Sequence, residues 1–327
     1  MMKRIDTLAL TLATVLLAYG CDKEPVNEGF GTIHLQLENP DDTRSRTDSE
    51  AYETTIHNLQ VIVADAGGKI ESCRELNGNG GFDIPAKPGD KTVLAIANGP
   101  SLQSCVSLEQ IRGTEMELTQ WNSISGGFVM SGERECKVAV DSISSLSMRL
   151  ERYVSRVRFL EVSNRLPLEY GSLTVTGVMI SNAVGNQNIA GNAQVQTWLN
   201  PMGFAEGGRT PAILGTVKNQ PLRKNAIYKL DTKMYCYPNS TASDNQGYGT
   251  SFTPRYTRAI LSATIQGKEY YYPISLPHLE RNTSYDITLS VYHPGSTDPD
   301  IPVCPGYIRV SINAGPWQEA PGITEHM

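Results

Sequence analysis

The sequence predicts an all-β protein built as two tandem β-sandwich domains with few short helices. Three observations carry that expectation. Short stretches alternate polar and apolar residues with a period of two, the pattern of a strand with one buried face. Turn-forming clusters punctuate these stretches, as in Asn39-Pro40-Asp41-Asp42, Ala66-Gly67-Gly68-Lys69 and Gln266-Gly267-Lys268. The chain has 327 residues, enough for two domains at the usual ~150 residues each, and the strand pattern restarts after Glu151.

Met1-Met2-Lys3-Arg4, the apolar run Leu8 to Leu17 and the small residues before Cys21 read as an export signal over residues 1–20, with a core too short to span a bilayer. Leu17-Ala18-Tyr19-Gly20-Cys21 resembles the lipobox of bacterial lipoproteins, with Ala18 where a leucine is usual. That resemblance implies an acylated Cys21 as the new N-terminus. Each buried methylene of an acyl chain contributes about 0.8 kcal/mol, so a multiply acylated Cys21 would hold the protein on a membrane. An ordinary secretory signal with an incidental cysteine is the alternative.

The first domain is expected over residues 21–150. Val26 to Gly31 reads as a tether, and Thr32-Ile33-His34-Leu35-Gln36-Leu37 as a strand with one buried face. Thr43 to Glu53 is polar and carries Arg44 and Arg46, the composition of an exposed, protease-accessible loop. Ile56 to Val63 makes the next strand, and Ala66 to Lys69 turns it into a hairpin. The Gly-rich run Asn77 to Gly81 is a turn, because a phosphate-binding fingerprint needs different spacing and a following helix. Val93 to Ala97 reads as a fully buried strand, Leu102 to Ile111 as a helix, and Val138 to Val140 and Leu146 to Leu150 as strands.

The second domain, 151–327, opens with extended structure from Tyr153 to Val162. Leu173 to Val178, Ala226 to Tyr237, Ala259 to Ile265, Tyr270 to Ile274, Tyr285 to Tyr292 and Tyr307 to Ile312 follow as strands. Asn182 to Asn192 and Pro238 to Gly249 read as long polar loops.

The formal charge is −6, and losing Lys3, Arg4 and Asp6 with the signal makes it −7. Phosphate binding needs a basic surface, so nucleic acid is excluded as a partner. Six cysteines are present. With Cys21 lipidated, Cys73 with Cys105 and Cys236 with Cys304 could each staple one half of the chain in an oxidising compartment, leaving Cys136 over. Small buried thiols are the equal alternative. No Cys or His spacing supports a zinc site.

No nucleophile, phosphate-loop or metalloprotease motif occurs among the scattered His34, His57, His278, His293 and His326, so the chain reads as a non-enzyme without a cofactor. Asp65, Asp83 and Glu133 sit near strand ends or turns, where solvated acids are the default. Tyr235, Tyr237, Tyr248, Tyr256, Tyr270, Tyr271 and Tyr272 lie close in sequence. They suit either an aromatic glycan platform or half-buried strand faces, and neighbours among Tyr270 to Tyr272 must point to opposite sides.

The order of elements is similar to that of the fimbrillin-like type V pilins of Gram-negative anaerobes. The resemblance rests on the lipobox, the first strand, the arginine-bearing loop and several local stretches. These are Gly127 to Gly132, Arg152 to Val157, Tyr271-Tyr272-Pro273-Ile274, Arg281 to Ile287 and Val310 to Trp317. It implies transthyretin-like, Greek-key sandwiches and a surface-exposed subunit of an outer-membrane fimbria that contributes to adhesion. It also implies assembly partners: other pilus subunits in a homo- or hetero-polymer, the outer membrane through the precursor's lipid, an arginine-specific protease, and a host or bacterial surface ligand.

In this family a protease cuts after an arginine and removes the first strand with its lipid, leaving a groove open to an extended segment of another subunit. Carried over, the removable strand lies within about 29–46, with Ile33, Leu35 and Leu37 as plugs, and the cut follows Arg46 or Arg44. The candidate donor strand carries Ile308, Val310 and Ile312, or else belongs to the chain's own second domain. The tail from Gln318 to Met327 is polar, is broken by Pro321-Gly322 and offers only Ile323 as a plug, so an accessory or tip subunit stays open. The competing readings are a surface lipoprotein that binds glycan or host protein and a pilus anchor that retains its lipid.

Overall fold

The computed structural model describes residues 29–38, 50–77, 80–202, 209–244, 251–276 and 278–317. The signal segment, Cys21, Arg44, Arg46, Tyr248 and the tail from residue 318 lie outside the described residues. The first half contains β1 Gly31–Glu38, β2 Leu59–Asp65, β3 Ile70–Leu76, β4 Gly81–Ala86 and β5 Gly89–Ala97, followed by helix α1 Leu108–Gly113. After it come β6 Glu115–Glu117, helix α2 Leu118–Trp121, β7 Met130–Val138, β8 Ile143–Arg149 and β9 Glu151–Arg152. The second half contains β10 Ser155–Asn164, β11 Leu173–Ser181, β12 Ala183–Val184, β13 Asn186–Asn188, β14 Trp198–Leu199 and β15 Leu214–Gly215. It continues with β16 Gln220–Leu222, β17 Ile227–Cys236, β18 Thr257–Ile265, β19 Lys268–Leu276, β20 Thr283–Val291 and β21 Ile308–Pro316. The architecture is all-β, with two sandwiches in tandem.

In the first sandwich a three-stranded sheet, β4-β1-β8, faces the five-stranded sheet β3-β2-β5-β7-β9. β1 is antiparallel to β4, with Ile33 opposite Ile84, and parallel to β8, with Leu35 opposite Leu146. Its alternation sends Ile33, Leu35 and Leu37 into a core shared with Leu59, Val61, Val63, Val93, Ala95 and Met130. β2 and β5 instead read as nearly continuous apolar runs because their sheet is covered on both faces. Ile62, Ala64, Leu94 and Ile96 pack on the opposite side with Leu108 and Ile111 of α1 and Leu118 of α2.

The β2–β3 connection is the expected hairpin. Asp65 Oδ1 accepts the N–H groups of Gly67 at 2.9 Å and Lys69 at 3.0 Å, while Gly68 takes a φ of 78° that disfavours a side chain. The helix expected over Leu102 to Ile111 is shorter and later. Ser107 caps it, its Oγ accepting from the Gln110 N–H at 3.3 Å. Just before the cap the chain is drawn out as an extended partner of β3, with the Ile70 N–H donating to the Val106 carbonyl at 3.1 Å.

The second sandwich sets β17-β10-β20-β21 against β15-β11-β18-β19, with β16 also on β11. It repeats the first arrangement: its opening strand, β10, lies between an antiparallel neighbour, β17, and a parallel one, β20. Val157, Phe159, Ile287, Leu289, Leu261 and Ala263 are fully buried in its core. Arg255 and Arg258, both fully buried, pair with Asp300 and tie the connection after β20 to β18.

The polar stretch 182–192 is not a plain loop. β13 pairs antiparallel with β6, Gln187 opposite Met116, and joins the two halves through a small sheet of its own. Polar side chains build it: Asn186 Oδ1 accepts the N–H groups of Gln196 at 2.8 Å and Thr197 at 3.1 Å. Period-two apolar alternation is missing there because side-chain hydrogen bonds, rather than an apolar face, shape the segment.

Truncating β1 inside its core should be costly. Leu35→Ala is expected to lower stability by about 2–5 kcal/mol in urea unfolding. Ile143→Ala on neighbouring β8, a site 73% exposed, should change it by no more than about 0.5 kcal/mol.

Candidate functional site

The candidate site begins at β1. Ile33 and Leu35 are fully buried and Leu37 is 4% exposed, while His34, Gln36 and Glu38 face outward. The outward side is stitched to both neighbours: His34 Nδ1 lies 2.6 Å from Asp83 Oδ1 on β4, and Ser147 Oγ on β8 donates to Glu38 Oε1 at 2.6 Å. The strand enters at Gly31, where an added Cβ would lie 2.3 Å from the Ala139 carbonyl oxygen, so only glycine fits this close approach. β4 and β8 are joined to one sheet solely through β1. Its three plugs, at about 1.5–3 kcal/mol each, supply much of the contact between them and the opposite sheet.

Beyond the undescribed residues 39–49 the chain resumes in a different place. Ala51–Glu53 forms a 3-10 turn against the second sandwich. Glu50 Oε1 pairs with Lys233 Nζ at 2.7 Å, and the Tyr52 and Tyr235 hydroxyls lie 3.0 Å apart. Glu53 is fully buried. Its carboxylate accepts from Arg156 Nη1 at 3.1 Å and from the Tyr235 hydroxyl at 2.7 Å, and its backbone carbonyl accepts from Arg152 Nε at 2.7 Å.

The end of β21 closes the same cluster. The Trp317 ring lies 4.5 Å from the Arg152 guanidinium and 5.2 Å from that of Arg156, and it stacks on Tyr235 at 5.5 Å. Phe128 meets Tyr235 at 4.5 Å and Trp317 at 6.0 Å. The segment from Glu50 to Glu53 and Trp317, just past the candidate donor strand, thus converge on one buried junction between the sandwiches. Burial works to raise the Glu53 carboxyl, but Arg156, the Tyr235 hydroxyl and the Glu50 backbone outweigh it and hold the carboxyl below its ordinary range. Burial, with Glu53 beside it, pushes the Tyr235 hydroxyl up, so it stays a donor.

β21 pairs along its whole length with β20, Val310 opposite Leu289, at the edge of the second sandwich. Ile308 and Val310 are half-buried, and Ile312 is exposed. Hence Ile33, Leu35 and Leu37 share one core, whereas Ile308, Val310 and Ile312 lie on the other sandwich.

The two suggested disulfides are absent: Cys73, Cys105, Cys136, Cys236 and Cys304 are free thiols. Cys236 ends β17 inside the core, where burial pushes its thiol up to about 12, while Cys304 is exposed, which separates that pair by its environments. Cys73 and Cys105 lie near each other on neighbouring segments without a bond, and burial followed by the nearby Cys105 raises the Cys73 thiol.

Among the described residues, three of the clustered tyrosines are enclosed, and Tyr256, Tyr270 and Tyr271 are half-buried. Tyr235, Tyr237 and Tyr272 are buried, with the Tyr237 hydroxyl accepting from Asn122 at 2.9 Å and that of Tyr272 donating to the His293 carbonyl at 3.2 Å. Asp83 and Glu133 are paired, with His34 and Arg112, and Asp65 holds its hairpin. No cluster of metal-ligating side chains occurs among the described residues.

Sequence reasoning missed the junction. The sequence places Glu53 at the end of an exposed loop, and among the described acids of the first half it is the most enclosed. A signal was present: Arg152, Arg156 and Arg158 fall within seven residues among Tyr153, Val154, Val157 and Phe159, and a buried guanidinium requires charged or hydrogen-bonding partners.

Glu53→Gln should lower stability at pH 7 by about 3–5 kcal/mol, because Arg156 would be buried without its charge partner. A carboxyl held low in the folded state stabilises fully above its unfolded value of about 4.5 and loses that contribution as pH falls through the lower folded value. In thermal melts across pH, the gap between the native chain and Glu53→Gln should therefore shrink on acidification below about 4.5.

Residues 31–144 match the Major fimbrial subunit protein (FimA) family. Solved structures with the same fold include a fimbrilin (fimA) from Porphyromonas gingivalis W83, at TM-score 0.66 and 15% identity, covering 89% of this chain and 98% of that one. A candidate cell adhesion protein from Bacteroides eggerthii DSM 20697 aligns at TM-score 0.65 and 15% identity, covering 88% and 96%. The tip fimbrial protein Mfa3 from Porphyromonas gingivalis, with a C-terminal truncation, aligns at 0.54 and 14%, covering 88% and 100%. Residues 31–144 carry the sequence pattern of the FimA family, and the two sandwiches together carry the fold of a solved fimbrilin.

Proposed function

We propose that the chain is a structural or accessory subunit of a cell-surface fimbria. It is exported as a lipoprotein acylated at Cys21, activated by a cut after Arg46 or Arg44, and polymerised by strand exchange. The observation that carries this reading is the position of β1, a strand from near the N-terminus lying between β4 and β8 with its apolar side fully enclosed. Its exit leads through the arginine-bearing residues to a segment anchored on the other sandwich by Glu53, so a cut between the two anchors severs β1 from the remaining chain, which stays held, and leaves β1 retained only by its ladders and apolar face.

Loss of β1 would leave unpaired N–H and C=O groups along both β4 and β8 and an apolar slot between them, an arrangement that an incoming strand satisfies on both edges at once. β21 supplies the same spacing of apolar residues. It is paired on one edge only and is largely exposed, so detaching it costs less than detaching β1. Detachment must also withdraw Trp317 from between Arg152, Arg156 and Tyr235, and this sets the main resistance to release.

Treating the purified precursor with an arginine-specific protease should yield new N-termini at Thr47 or Ser45 and, with time, heat-sensitive multimers on a denaturing gel. The Arg44→Ala, Arg46→Ala double variant should remain uncut and monomeric. A chain that is cut and loses β1 yet stays monomeric at high concentration would overturn strand exchange. In cells, a product that remains intact at Arg46 and membrane-bound would identify the lipid-retaining anchor instead.

A further inference from the structure

At the seam between the sandwiches lies a second feature, separate from β1 and from the Glu53 cluster. A cleft of about 360 Å³ is bordered by β7 from Ser131 to Arg134, the end of β8, the segment after β13 and Arg281. Four arginines, Arg112, Arg134, Arg149 and Arg281, reach it from separate elements, and only two carboxylates, those of Glu133 and Glu151, stand beside them. This local excess of positive charge occurs on a chain whose formal charge is −6.

The arginines here are held differently from those elsewhere. Arg156 is matched by Glu53, Arg158 by Asp286, and Arg255 and Arg258 by Asp300. In the cleft Arg112 pairs with Glu133 at 2.6 Å. Among the described residues no carboxylate lies within ion-pair distance of Arg134, Arg149 or Arg281.

Arg281 is nevertheless fixed, by neutral groups. Its Nε donates to the Arg152 carbonyl at 3.2 Å, and its Nη2 donates to the Glu151 carbonyl at 2.8 Å and to Ser131 Oγ at 3.3 Å. Its guanidinium lies 4.2 Å from the centre of the Tyr153 ring, whose hydroxyl is anchored on the Ile189 carbonyl at 2.7 Å. A positioned guanidinium whose charge is left uncompensated, facing two exposed arginines, repels them. That repulsion is relieved by an oxyanion that accepts from several guanidinium groups at once.

We propose that this cleft binds a small oxyanionic ligand, a carboxylate or sulfate carried on a sugar-sized molecule. The volume falls within the ~300–1,000 Å³ of small-molecule sites, and a protein partner would instead need about 800 Å² of surface on each side. The lining is mostly polar and charged, which suits a hydroxyl-rich scaffold over an apolar one. The site requires neither the cut nor strand exchange; Arg149 lies on β8 opposite Glu38 of β1, so the titration is made on the uncut chain, where β1 is in place.

Calorimetric titration of the full chain tests the proposal with four probes: N-acetylglucosamine 6-sulfate, glucuronate, glucose and inorganic sulfate. Saturable binding of one charged sugar, weakening as salt rises, with none of glucose, is the expected result. Arg134→Ala and Arg149→Ala change exposed side chains and should keep the native melting temperature. Each should weaken binding by about tenfold or more, the scale of a hydrogen bond to a charged group. Absence of saturable binding by both charged sugars, or unchanged affinity in the Arg134→Ala, Arg149→Ala double variant, would overturn the site. Inorganic sulfate binding as tightly as the sulfated sugar would overturn the sugar scaffold and assign the cleft to a free anion.

Discussion

The buried contact of Glu53 with Arg156 and Tyr235 is the constraint on which the rest of the arrangement depends. A carboxylate removed from water is tolerated only with charged and hydrogen-bonding partners in place. Its carboxylate is held by Arg156 of β10 and Tyr235 of β17, and its carbonyl by Arg152 of β9 at the boundary between the halves. Once Glu53 is satisfied, the start of β2 is tied to β10 and β17, and the orientation of the two sandwiches follows. The β6–β13 pair and the Trp317 stack add to a contact that the charge already locates.

From that anchor the different ways in which β1 and β21 are held become intelligible. β1 lies on one side of the undescribed residues 39–49 and Glu53 on the other, so the strand and the body of the chain are held by separate forces. β1 is held by apolar burial and by ladders on both edges, while the junction is held by charge and aromatic stacking. β21 is the reverse of β1 in its exposure, with one paired edge and a partly solvated face, but Trp317, the residue that follows it, is stacked on Tyr235 and on two guanidinium groups. In each sandwich the opening strand has a parallel and an antiparallel neighbour, and only in the second does a further strand, β21, cover the parallel neighbour's outer edge.

Much of this fold was legible from the residues. Thr32 to Leu37 alternates so regularly that its buried face could be named in advance, and the hairpin at Ala66 to Lys69 followed from its glycines, while the part of Asp65 in holding the turn did not. The continuous apolar run at Val93 to Ala97 signalled a strand covered on both faces. The errors share a cause. The expected start of α1 was too early because Val106 is claimed by β3, and the 182–192 stretch hid a strand because its partner lies about seventy residues away. The cysteine pairs failed because compartment and spacing say nothing about burial, and Cys236 lies in the core.

By itself the sequence determined the all-β class, the tandem organisation and the inward face of β1, because period-two alternation and turn chemistry act between residues close along the chain. Only the tertiary structure decided that β1 sits between β4 and β8, that β21 rests on the second sandwich, and that Glu53 is buried rather than solvated. Those outcomes depend on partners far away in sequence, 103 residues in the case of Glu53 and Arg156. A lone acid in a polar stretch carries no local mark of the arginine that will enclose it.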